Sequence, residues 1–151
     1  MRGYTRDQMV HADDARVFEA ASLIVATFPD MDKAARSIRC HEVARAVHAL
    51  LTAAPHLPYR GEVHDGVMNA VEHSWLLLLG PDGRGRAILD TYTMARLPPV
   101  QLVLPWMGAE RLYTSRGHSH DDRPGVVAEL VATFRARVEQ ASFTRRAWLD
   151  A

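Results

Sequence analysis

Glu72-His73-Ser74-Trp75-Leu76-Leu77-Leu78-Leu79, then Gly80-Pro81-Asp82-Gly83, then Arg86-Ala87-Ile88-Leu89-Asp90-Thr91-Tyr92 is the stretch that decides the fold. A short apolar run bounded by turn residues reads as a largely buried strand. Pro81 presets φ, Asp82 can bond its own backbone and Gly83 accepts positive φ, so the three supply a tight connection to a second strand, Arg86 to Tyr92. Working outward, Tyr59 to His64 reads as a strand before this pair, and Val100 to Leu104 and Arg111 to Thr114 as strands after it. Toward the N-terminus the period lengthens. Val17, Phe18, Ala21, Ile24, Val25 and Phe28 recur at helical spacing behind Asp13 and Asp14, which suit a helix start. A second helical region, with Ile38, Val43, Ala46, Val47, Leu50 and Leu51 along one side, ends near Pro55. Pro124 sits where a first helical residue belongs, and Val127, Leu130, Val131, Phe134 and Val138 form the stripe of a C-terminal helix. Helices, then an antiparallel run of strands, then a helix is an α+β order.

The 151 residues suit a single domain over 1–151, and a chain of this size buries about 68–70% of its unfolded surface, enough for a core without metal or disulfide. One cysteine, Cys40, forms no internal disulfide, and Met1 to Asp14 lacks the apolar run of a signal peptide, which predicts a cytoplasmic protein. Trp75 to Leu79, the longest strongly apolar stretch, is far below the ~20 residues of a membrane span. The 18 basic and 18 acidic residues balance, which argues against nucleic-acid binding through a global field. Lys33 is the only lysine, and the arginine and alanine bias reads as genome composition.

Cys40, His73 and Asp90 carry the chemistry. A thiol is a weak nucleophile at neutral pH unless an imidazole or a helix N-terminus favours the thiolate. Cys40 stands on a helix-patterned segment, His73 and Asp90 on successive strands joined by the Pro81-Gly83 hairpin, where they face each other if the register allows it. His73 then serves as general base and Asp90 orients it. If the helix restarts at Ser37, Cys40 lies in its first turn; if one helix runs on from Asp32, it lies mid-helix and gains nothing from the dipole. The plainer reading of each residue is structural: a small buried hydrophobe, a hydrogen-bonded core histidine and a strand-ending aspartate.

Cys40-His41-Glu42-Val43-Ala44 leading into Leu50-Leu51, then Tyr59-Arg60-Gly61-Glu62-Val63, His73-Ser74-Trp75 and Leu89-Asp90, resembles the core of the transglutaminase-like superfamily of papain-type folds. The resemblance covers Ser37 to Tyr92, about a third of the chain. It implies N-terminal helices packed on an antiparallel sheet with a C-terminal helix, Cys40 as nucleophile, His73 as base, Asp90 as orienting acid and Trp75 as a packing residue near the site. The implied activity is that of a cysteine-dependent hydrolase or acyltransferase of protease, amidase or deamidase type, attacking an amide or thioester carbonyl through a Cys40 acyl intermediate. Peptide, protein or small-amide substrates follow, with no cofactor and no metal. The alternative is an inactive member of the fold serving as a protein-binding module. Arg39 replaces the small residue common before the cysteine, and no tryptophan precedes Leu89-Asp90.

His41-Glu42 begins like a zinc-protease helix motif, but Arg45 stands where the second histidine belongs. His118, His120, Asp121 and Asp122 offer metal-ligand chemistry, although a polar loop with Asp122 capping the last helix explains them equally. Asp65 or Glu72 is a substitute for Asp90, with Glu72 expected on the opposite strand face from His73. Gln101 is a candidate oxyanion donor beside the Cys40 amide. Arg84, Arg86 and Arg96 offer a grip for a substrate carboxylate, although as turn-region arginines they read first as solvated surface. The proline-stiffened segment Tyr92 to Trp106 suits a substrate wall or an interface, and its Leu102-Trp106 run leaves homo-oligomerisation open.

Overall fold

The computed structural model describes residues 10–29, 39–93, 99–118 and 121–140. Helix α1 spans Ala12–Thr27 and α2 Cys40–Ala53; strands β1 (Gly61–Met68), β2 (Val71–Leu79), β3 (Gly85–Asp90), β4 (Gln101–Val103) and β5 (Tyr113–Ser115) follow, and α3 (Pro124–Gln140) closes the order. The strands form one antiparallel sheet in the order β4-β3-β2-β1-β5. The α+β architecture follows the sequence reading. Ile38 and Ser37, assigned to the second helix and its cap, lie outside the described residues, as do Met94 to Pro98 and His120.

The helices take the positions their apolar stripes dictate. On α1, Val17, Ala21, Ile24 and Val25 are buried, and the His11 side chain accepts the Asp13 backbone N–H at the N-terminus. Asp14 in the first turn is also buried, where Arg86 of β3 grips both its oxygens at 2.7 and 2.9 Å. Arg86 is therefore a fastening between α1 and the sheet and not the solvated residue the sequence suggests. The α2 helix is the central element. It is buried at every position from Cys40 to Ala44, with β1 and β2 on one side and α1 and α3 on others. The last helix packs on it through Val126, Leu130 and Phe134, spaced by four residues.

Strand alternation sorts the sheet into two faces. Leu76, Leu78, Ala87 and Leu89 join the helices in the main core, while Trp75, Ile88 and Val103 form a second cluster with Leu77, Ala109 and Tyr113. The Pro81-Gly83 turn is as expected, with Gly83 at φ 78° and its N–H donating to the Gly80 carbonyl at 2.9 Å. The first strand runs to Met68, past the expected His64, because Asn69 (φ 49°) and Ala70 (φ 66°) make a two-residue hairpin. Left-handed alanine is uncommon there, so Asn-Ala carries a weaker turn signal than Asn-Gly.

Gly66 lies between two partners, opposite His73 on β2 and Ser115 on β5. A Cβ at Gly66 would overlap the Thr114 carbonyl oxygen and crowd the Ser115 backbone. Its missing side chain lets β5 pair closely enough to bring Tyr113 inward. Gly66→Ala is expected to destabilise the fold by about 1–3 kcal/mol through overpacking, read as a lower urea midpoint. An unchanged midpoint would mean that β5 accommodates the methyl without loss.

Candidate active site

Asp90 is the last residue of β3 and 1% exposed. Its position is set by the β2–β3 register, which pairs Leu76 with Leu89 and Leu77 with Ile88. Extending that register by one residue puts Asp90 beside Trp75 and on the face shared by His73. The His73 Nε2 atom then lies 2.9 Å from both Asp90 carboxylate oxygens. Two further donors complete the anion's shell: the Tyr92 backbone N–H reaches Oδ1 at 3.1 Å and the Tyr113 hydroxyl reaches Oδ2 at 2.7 Å. Burial, then the charge of Asp90 and the bond to it, push the Tyr113 phenol up, so it stays a donor. Trp75 stacks near His73, with ring centroids 6.2 Å apart, and meets the Tyr113 ring edge-on at 5.2 Å.

Occupation of Nε2 by Asp90 leaves Nδ1 as the nitrogen for a second partner. That atom is buried and without a hydrogen-bond partner. The first turn of α2 meets β2 one residue further on, where His41 bonds Ser74. Cys40 is the first residue of α2, after an extended Arg39 at the N-cap position (φ −107°, ψ 164°). The helix thus starts at Cys40 itself and not at Ser37 or Asp32, and the thiol stands in its first turn, among the backbone amides that have no partner within the helix. Cys40 is near enough to bias the ring toward its charged form, although Nδ1 has no hydrogen-bond partner. Burial alone would lower the His73 pKa, but the bonds and charges of Asp90 and Cys40 outweigh it and raise it to about 9. The His73 ring is thus biased toward its charged form by a buried carboxylate and by the thiol.

A second polar cluster lies on the other face of β2 and was not legible as a unit in sequence. His41 Nδ1 and Ser74 Oγ are 2.5 Å apart, and Ser74 donates to Asp65 Oδ1 at 2.5 Å. Arg45 clasps both Asp65 oxygens at 3.0 and 2.8 Å. Burial alone would raise the Asp65 pKa, but hydrogen bonds from Arg45 and Ser74 prevail and hold it below the usual carboxylate range. Asp65 is therefore engaged here and does not replace Asp90. The His118 ring stacks on His41 at 4.4 Å, and Asp122, expected as a helix cap, pairs with Arg45 at 3.1 Å and His118 at 3.0 Å. Potential ligand atoms of His41, Asp65 and His118 lie within 4.8 Å of one another. The donor types suit a small cation, yet the guanidinium already occupies the carboxylate such an ion would need.

Gln101 pairs opposite Asp90 across β3 and β4 and shares its face. Glu42, two residues after Cys40, is fully buried and binds Arg39 (3.1 Å) and Arg123 (2.6 Å) through Oε1. Arg39 also donates to the Asp121 carbonyl at 2.7 Å, so the loop before α3 is fastened to the start of α2. Comparison of the chain with protein-family models, with curated proteins and with solved structures finds no match in any of the three.

The raised His73 pKa fixes a pH dependence. A cation favoured by folding contributes stability that is fully present below the unfolded value of ~6.5 and is lost as pH rises through about 9. The difference in unfolding free energy between wild type and His73→Gln should shrink over that window, by about 3 kcal/mol at most. Urea titrations at pH 6 and 9.5 measure it, and a constant difference would contradict the charged pair.

Proposed function

We propose that the protein is a cysteine-dependent hydrolase or acyltransferase with a papain- and transglutaminase-like arrangement of its α+β fold, acting on amide or thioester carbonyls. The observation that carries this reading is the His73 ring itself. One nitrogen is held by both oxygens of a buried aspartate, and the other is left unpaired while the ring responds to the only thiol of the chain.

In the first half-reaction the Cys40 thiolate attacks the carbonyl carbon and electrons move onto the carbonyl oxygen. The Cys40 backbone N–H, at the first helical position and outside the helix's own bonding, is one donor for that oxyanion, and Gln101 supplies a candidate second. His73 gives its Nδ1 proton to the leaving nitrogen or sulfur as the tetrahedral species collapses to an acyl-thioester. In the second half, His73 removes a proton from water or an acceptor amine, which attacks the thioester carbonyl and returns the thiolate. Asp90 keeps the Nε2 proton in place and stabilises the imidazolium throughout. Hydrolysis makes the lower demand, since an amine must outcompete water in a sheltered acceptor site. Peptides, proteins and small amides are the substrate classes.

A second reading, a binding module that retained these residues, draws on burial: Cys40 is 7% exposed and His73 fully covered. Alkylation by iodoacetamide separates the two. The enzyme reading predicts a rate that stays high well below pH 8 in the wild type and drops at least about tenfold in His73→Ala. A slow rate in both proteins, rising only near the ~8.5 of an ordinary thiol, would favour the binding module.

A further inference from the structure

His41 follows Cys40 in the chain, Ser74 follows His73, and these two neighbours are bonded to each other inside the protein. Both are buried, at 2% and 0% exposure. The protons along the chain can be assigned. A hydroxyl has one proton, and Ser74 directs it to Asp65. Ser74 therefore accepts from His41, which carries its proton on Nδ1. The chain runs from the His41 N–H to the Ser74 oxygen, from the Ser74 O–H to the Asp65 carboxylate, and ends where Arg45 grips that carboxylate from the next turn of α2. A relay that begins and ends on α2 and passes through β2 and β1 is a closed loop of hydrogen bonds. Each bond is strengthened by the anion at its centre.

We propose that the His41–Ser74–Asp65–Arg45 loop is a positioning clamp that fixes the separation and orientation of Cys40 and His73. This rests on the thiol–imidazole reading above. Adjacent Cα atoms lie about 3.8 Å apart, so a 2.5 Å contact between His41 and Ser74 allows the preceding pair little freedom to drift. The clamp compensates for what the triad lacks: His73 Nδ1 and the thiol share no bond of ordinary geometry to hold them in register. Asp90 restrains only the ring, and the backbone of α2 needs its own tie to β2. Arg45, clasping both Asp65 oxygens, makes the cluster a tie and not a vacant cation site.

The test compares His41→Leu with His41→Asn and adds Ser74→Ala, each at a position outside the triad. Asparagine keeps an N–H donor near the Nδ1 position and leucine does not, while both lose the stack on His118. The readout is the pH profile of Cys40 alkylation by iodoacetamide, beside thermal melts that report folding. The clamp predicts that His41→Leu and Ser74→Ala stay folded at neutral pH but alkylate about ten- to a hundredfold more slowly at pH 6.5, the scale of a misplaced reacting group. Their profiles shift toward that of His73→Ala, and His41→Asn restores most of the rate. Profiles of His41→Leu and Ser74→Ala that superimpose on wild type, while His73→Ala still differs, overturn the clamp and leave the thiol reading intact. A wild type that already matches His73→Ala removes both. Should His41→Leu fail to fold, Ser74→Ala against wild type decides alone.

Discussion

A buried aspartate governs this structure. Asp90 is almost wholly removed from water, and a carboxylate in that state is costly unless every oxygen is met by donors or a counter-charge. Its three donors come from separate parts of the chain: His73 from β2, the Tyr92 amide from just beyond β3, and Tyr113 from β5 at the far side of the sheet. The one anion thus ties three strands, β3, β2 and β5, together across β1. Gly66 is small because that tie needs β5 close. The imidazole is held in one orientation and biased toward its charged form by the same contact that makes the carboxylate tolerable inside.

Strand alternation gives β2 two chemistries in adjacent residues. His73 faces Asp90, Tyr113 and Trp75, whereas Ser74 faces α2 and enters the relay with His41, Asp65 and Arg45. The first two turns of α2 are correspondingly crowded with buried polar groups, Cys40, His41 and Glu42 among them. Replacing such networks by apolar side chains often costs a protein little stability. Their concentration around the only thiol is what a site built for position would show, and the apolar part of the core continues along α2 at Val47, Leu50 and Leu51.

The large elements were legible because their signals are local. Apolar stripes gave α1 and α3, and Pro81-Asp82-Gly83 gave the central hairpin and with it the neighbourhood of His73 and Asp90. What escaped reading depends on contacts between distant residues or on atypical turns. The first hairpin closes on Asn69-Ala70, so β1 looked shorter than it is. Tyr113 belongs to a three-residue strand and earns its place only by reaching a carboxylate 23 residues away in sequence. Arg86 looked like surface until α1 brought Asp14 to it. Asp65, a sequence candidate for the third triad position, sits on the opposite face of the sheet, a distinction that the period of two could have drawn only with the β1 register in hand.

Titration of the His73 imidazole by heteronuclear NMR, in the wild type and in Cys40→Ala, tests the coupling of thiol, imidazole and carboxylate most directly. The account predicts that His73 stays protonated toward about pH 9 in the wild type and titrates at a lower pH once the sulfur is gone. Identical titration in the two proteins, near the ~6.5 of an unperturbed histidine, would contradict it.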